Sequence, residues 1–229
     1  MLIGRLARLR DCEAPATLDD AVYVINQILM DDCGFSAEDS REQTPQAACV
    51  GEMLLRHSGH PAALAILYLQ AARTLGVKGS AIDFPGHYLL RLDYAGTRTI
   101  VDPRAGGIQR NAANLRGLLK SVLGLDRELA RAHYQPIDDC ELLIRLQRER
   151  KALHLAARDN AGAARAIASL LRLAPEEHEL IWEQAVYLIF SGDQTGGRAC
   201  LERYLEGGQH QQNRAEALDL LRRLPTKSA

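Results

Sequence analysis

The chain has 229 residues, 47% of them apolar and 25% charged, which excludes an intrinsically disordered polymer and allows one large core or two small ones. Its 28 basic residues are balanced by 29 acidic ones, for a formal net charge of −1. A surface so balanced creates no field to gather nucleic acid or anionic lipid, and neither is expected as a partner.

The first ten residues, Met1 to Arg10, are basic, but arginines interrupt their apolar run. They lack the continuous apolar segment of an export signal, and no later stretch approaches the roughly 20 apolar residues that span a bilayer. The expectation is a cytoplasmic protein with no membrane segment and no cofactor. Cys12, Cys33, Cys49, Cys140 and Cys200 are odd in number and scattered, without a C-x-x-C pair. A disulfide framework and a zinc knuckle are both excluded as readings.

Apolar residues recur at helical spacing from Leu18 to Met30, with Thr17 as N-cap and Gly34 after the end. Ser36 to Gln46 reads as a loop and Ala47 to His57 as a short helix. Pro61 then suits a first helical position. The stretch from there to Leu75-Gly76 is apolar almost all round, as expected of a helix at a domain centre.

The period then changes. Gly79 to Phe84, His87 to Asp93 and Arg98 to Asp102 are extended in character, and Tyr94-Ala95-Gly96-Thr97 reads as a hairpin turn. A central helix followed by an antiparallel meander implies an α+β domain. Helices are expected around Ala112–Leu123 and Arg127–His133, before Gln135-Pro136 marks a boundary. Residues 1–136 therefore form an α+β domain and 137–229 an all-α region.

The all-α region repeats. At an offset of 34 residues Leu155 maps on Ile189, Asp159 on Asp193, Ala166 on Cys200, Ile167 on Leu201, Leu170 on Tyr204 and Leu171 on Leu205. That is the tetratricopeptide period, with an aspartate at the turn between the helices of each unit. About two repeats and a final helix, Arg214 to Leu224, are expected. Cys140 and Cys200 fall at packing positions. Trp182, Tyr187 and Phe190 lie on the first helix of the second repeat, where aromatics usually pack helix on helix; the alternative is a peptide-binding groove.

Chemistry concentrates in Phe84-Pro-Gly-His87 and Thr99-Ile-Val-Asp102. If the hairpin turns near Ala95, His87 and Asp102 lie close to opposite on neighbouring strands. A carboxylate there can hold one imidazole nitrogen, as the orienter of a general base does. A buried His–Asp pair that only ties two strands together is the commoner arrangement.

The segments "HPAALAILYLQAARTLG", "FPGHYLLR" and "IVDPRAGG" resemble, in order and spacing, the SirB1-type (UPF0162-like) transglutaminase-like family. The similarity spans about residues 47–107, and the family's tetratricopeptide-like tail matches the repeat. The resemblance implies a transglutaminase/papain-like core with an antiparallel sheet, whose histidine and aspartate positions fall on His87 and Asp102. It also implies a nucleophile's seat at the start of the central helix, which here is Pro61. The family commonly lacks a cysteine there. This chain departs further, with His57-Ser58 where the family usually has arginines and Arg104 where it tends to have phenylalanine.

Of the other thiols, Cys49 is the candidate nucleophile, although a small buried hydrophobe is its commoner role. His57 and His60 straddle a glycine and have no third ligand nearby, so no metal site is read; His60 and Pro61 are expected to line a small polar pocket near His87. The leading expectation is a non-catalytic, regulatory pseudoenzyme of bacterial type that binds a protein or peptide through its tail. The alternative is an amide- or peptide-processing enzyme using Cys49 or water, with His87 and Asp102 as its base pair.

Overall fold

A computed structural model describes residues 8–9, 14–39, 44–207 and 213–225. Cys12 and most of the basic N-terminal segment lie outside them. The chain divides into two compact units, Met1–Leu142 and Leu143–Ala229.

In the first unit, α1 (Leu18–Asn26) starts on a capping box: the Asp20 amide donates to the Thr17 hydroxyl at 3.1 Å, and the Thr17 amide donates to the Asp20 carboxylate at 2.9 Å. It buries Leu18, Ala21, Val22 and Ile25 and continues as a π-helical turn over Gln27–Asp32. Two two-residue strands, β1 (Ser36–Ala37) and β2 (Ser58–Gly59), pair in parallel around α2 (Val50–Arg56). The helix expected from Ala47 begins only at Val50, with Cys49 as N-cap.

The central helix α3 (Pro61–Thr74) buries nine of its fourteen residues, Tyr68 and Leu69 among them. Behind it runs a five-stranded antiparallel sheet in the order β6-β5-β4-β3-β7, made of β3 (Lys78–Ile82), β4 (Leu90–Tyr94), β5 (Thr97–Asp102), β6 (Ile108–Gln109) and β7 (Pro136–Ile137). The expected hairpin closes on Ala95 and Gly96, whose φ values of 47° and 78° are those of a tight turn that matches strand twist. Pro136 and Ile137, read from sequence as a boundary, extend the sheet edge opposite Ile82 and Ala81. A two-residue strand shows no period and is invisible to pattern reading.

Alternation divides the sheet's residues between two faces. Gly79 and Leu92 face α3: a Cβ on Gly79 would stand 2.8 Å from Leu69. Ile82, Leu89 and Ile100 face the other way, onto Leu115 and Leu119 of α4 (Ala112–Leu123). The second helix expected after α4 shrinks to a 3-10 turn, Arg131–Tyr134. Leu129, just before the turn, and Tyr134, within it, pack against this cluster.

The helix α5 (Asp139–Ala156) leads into α6 (Asn160–Leu173), α7 (Glu179–Phe190), α8 (Gln194–Glu206) and α9 (Arg214–Arg223). The two interhelix turns repeat residue for residue. Arg158 and Gly192 are left-handed, at φ 57° and 91°. Asp159 and Asp193 cap the following helix, each accepting from a glycine amide at 2.8 Å, Gly162 and Gly196. Ile167 and Leu201, and likewise Leu170 and Tyr204, occupy equivalent core positions, as the 34-residue offset requires. Cys200 packs partly buried on this core, but Cys140 is exposed at the start of α5, not in a core.

One line of hydrogen bonds joins distant parts of the first unit. The buried Tyr68 hydroxyl donates to Asn26 Oδ1 at 2.8 Å, and Asn26 Nδ2 donates to the Gly107 carbonyl at 3.1 Å. Gly106 and Gly107 have nearly the same positive φ, 75° and 76°, but a Cβ on Gly107 would fall 1.8 Å from Asn26 Oδ1, whereas one on Gly106 meets nothing within 4 Å. Both alanine variants should therefore lose about 1 kcal/mol to the left-handed backbone. Gly107→Ala should lose roughly 1–3 kcal/mol more through overpacking. Urea midpoints check this, and equal midpoints would refute the close contact.

Candidate functional site

Three tight turns bring the chemistry-bearing residues together. The first is Phe84-Pro85-Gly86-His87: Pro85 sets the second position, Gly86 supplies the positive φ of 68° at the third, and the His87 amide donates to the Phe84 carbonyl at 3.4 Å. The proline and glycine that make this turn keep His87 off the strand. β4 begins only at Leu90, which pairs with Val101. His87 thus stands just beyond the sheet, not opposite Asp102 on a neighbouring strand as expected.

The second turn is Asp102-Pro103-Arg104-Ala105. Asp102 ends β5 and caps this 3-10 turn, accepting from the Ala105 amide at 3.3 Å. The backbone then reverses at Gly106 and Gly107 into β6. In that antiparallel return the Arg110 amide donates to the Ile100 carbonyl at 2.7 Å. Arg110 therefore comes back on the face of β5 shared by Ile100 and Asp102, one diagonal step from the carboxylate. Its Nε and Nη2 both donate to Asp102 Oδ2, at 3.2 and 2.7 Å. The Asp102 side chain is only 5% exposed, so its charge is matched in the interior by this guanidinium.

The expected hold of Asp102 on the imidazole is replaced by this pair. His87 Nδ1 is buried and has no hydrogen-bond partner, and the ring instead meets Phe84 edge-on at 5.9 Å between centroids. Burial pushes the His87 pKa below its ordinary value. The Asp102 carboxylate opposes that shift, and the Arg104 and Arg110 guanidiniums reinforce it. The neutral ring is accordingly the favoured form near pH 7.

The third turn leads into α3. His60 is the N-cap: its backbone is extended, and its Nδ1 accepts from the Ala62 amide at 3.2 Å. It is buried and meets the Tyr88 ring edge-on at 5.6 Å. Pro61 is the first helical residue and is also buried. The position that would offer a nucleophile the helix's amides thus carries a ring with no reactive atom. His57 turns away from His60, stacking on Phe35 and bonding the Cys33 carbonyl through Nδ1.

Cys49 is half-buried at the start of α2 and makes no capping bond through its side chain. Among the described residues His87 makes no hydrogen bond to any cysteine sulfur, and no group of three or more histidine, cysteine, aspartate or glutamate side chains is gathered to hold a metal ion. In the second unit Trp182 packs partly buried, 6.0 Å from the Tyr204 ring, and Tyr187 is also partly buried, whereas Phe190 is 72% exposed. Sequence reasoning missed Arg110. The clue was the double glycine, which turns the chain back and brings a residue eight positions on beside Asp102.

Known proteins resemble this chain over most of its length. A family model described as Transglutaminase-like superfamily matches residues 4–148. A UPF0162 protein of Xylella fastidiosa is 28% identical over 186 residues, which is 80% of this chain and 66% of that protein. A UPF0162 protein of Pseudomonas aeruginosa is 31% identical over 146 residues, 64% of this chain and 53% of that one. The chain thus spans less than two thirds of the length of these relatives. F-box only protein 21 of the mouse is 31% identical over 88 residues, 38% of this chain and 14% of its own length. No solved structure matches. The family model covers more than half the chain, and the two bacterial relatives carry the UPF0162 name: the chain belongs to the transglutaminase-like superfamily, within its UPF0162, SirB1-type branch.

Proposed function

We propose that the chain is a non-catalytic, regulatory interaction protein built on a transglutaminase-like fold, with its helical repeats serving as a tetratricopeptide-like binding region for a protein or peptide. The observation that carries this reading is the fate of the three positions such a site needs. Pro61 begins the central helix, His87 Nδ1 has no orienting partner, and the Asp102 carboxylate is engaged by Arg110. Such a site uses an oriented base and a nucleophile at the helix start to open an amide, and neither is found at these positions. For the binding part, Phe190 leaves a large apolar side chain in solvent on the helix that also carries the partly buried Tyr187 and Trp182. Exposed aromatics of this kind serve as anchors at interfaces.

The catalytic half of the proposal is tested at Cys49. Iodoacetamide labelling near pH 7, followed by mass spectrometry, should proceed at the same rate in the parent and in His87→Ala. A tenfold slowing in the variant would mean that His87 activates this thiol, and the thiol-enzyme reading would replace ours. The binding half predicts that full-length chain captures a partner from cell extract and that Phe190→Asp releases it; capture indifferent to that change would remove the role of the tail.

His87 also carries a stability signature. Its folded pKa lies below the unfolded one, so the unfolded chain takes up its proton first as pH falls. Stability should therefore climb with pH through the window below about 6.5 and level off above it. In His87→Gln that part of the slope should flatten when urea unfolding is followed at a series of pH values.

A further inference from the structure

On the α4 side of the sheet a cleft of about 680 Å³ opens between the β5–β6 edge and the start of α4. Its wall has two chemical halves. Arg98 and Arg110 line its charged half, while Ile100, Ala112, Leu115 and Tyr134 line an aliphatic and aromatic half. Among the described residues no carboxylate lines it, although each arginine already bonds one behind the wall, Asp93 and Asp102. The volume is that of an ordinary ligand site, which runs from about 300 to 1,000 Å³.

The cationic half is held in place. Arg110 is fixed through Nε and Nη2 on Asp102, with its side chain 18% exposed, which leaves Nη1 outside that pair. Arg98 uses Nε on Asp93, at 2.6 Å, in a largely exposed pair. That pair is worth little and leaves the fork's outer nitrogens for another acceptor. Asn111 caps α4 at the cleft's rim, so the positive end of that helix's dipole adds to the same field.

We propose that this cleft binds an organic carboxylate, with the acid against Arg98 and Arg110 and an apolar body against Ile100, Leu115 and Tyr134. Planar forks suit a carboxylate, and the apolar half distinguishes such a ligand from an inorganic anion. The carboxylate comes from one of two sources, a small free acid or the carboxyl end of a peptide. The lining belongs to the first unit and does not include Pro61, and the site stands whether or not the chain is catalytic.

Arg110 makes occupancy felt elsewhere. It neutralises Asp102 and also stands among the charges that act on His87. An anion beside it offsets its positive charge, so His87 becomes easier to protonate when the cleft is filled.

Calorimetry and proton NMR on the full-length chain provide the test, with N-acetyl-phenylalanine as the free acid. The acid should bind at least about tenfold more tightly than its carboxamide, because the amide forfeits the charge-assisted bonds. Arg98→Gln should weaken it by about the same factor. Ala112→Glu, an exposed change favourable at a helix start, should do so by placing a competing carboxylate in the cleft. The His87 ring signal should titrate at higher pH with the acid bound. A pentapeptide ending in phenylalanine that binds more tightly than the free acid, and loses this on amidation, would assign the source to a chain end; weaker binding would assign it to a small acid. Equal binding of acid and amide, indifference to both variants, equal binding of inorganic phosphate, or an unmoved His87 titration would each overturn the proposal.

Discussion

A helix with apolar side chains on every face must be enclosed, and the first unit is organised around that requirement. The stretch from Pro61 to Thr74 has no polar stripe to leave in water, and it buries side chains as unlike as Ala62, Leu64, Tyr68 and Ala72. The sheet covers one flank, and α1 and α2 pack on the rest. Burying such side chains contributes roughly 1.5–3 kcal/mol for each large one. Once α3 is fixed, its N-terminal end and the ends of β4 and β5 are fixed with it, and so are the turns that hold His60, His87 and Asp102.

That dependence explains which features the sequence made legible. The hairpin at Ala95-Gly96, the cap at Thr17, the helix over Ala112–Leu123 and the aspartate-capped repeat are all local, each written within a few neighbouring residues. The strands β1, β2, β6 and β7 are two residues long and exist only because a distant partner offers carbonyls and amides. No local pattern encodes them. The same division runs through the site. Pro61 at the helix start was readable from Ser58-Gly-His-Pro, and Gly86 marked a turn that the strand reading of His87 overlooked. Arg110 could not be assigned to Asp102 without the register of β5 on β6.

The Asp102–Arg110 pair alters the meaning of a family likeness at this position. A carboxylate in a transglutaminase-like core is ordinarily read through its histidine, yet a buried charge settles on the partner that satisfies it best. Two guanidinium nitrogens at 3.2 and 2.7 Å, together with the Ala105 amide, do so without the imidazole. His87 is left half-buried, with Nδ1 enclosed and the Phe84 ring edge-on to the imidazole. The Asp102 carboxylate is thus satisfied in this core without a hydrogen bond to His87.

The line from Tyr68 through Asn26 to Gly107 has a consequence for how the polypeptide acquires its structure. Its two links close loops of 42 and 81 residues, so neither is available to a short nascent fragment. Ordering segments so far apart must be accomplished before the bonds return anything, which slows the search. In the second unit the recurring turns join neighbouring helices, and Asp159 or Asp193 reaches an amide only three residues on. The two units should consequently assemble on different clocks. The helical repeats can form quickly from local contacts, while the first unit depends on the slower search that brings Gly107 to Asn26.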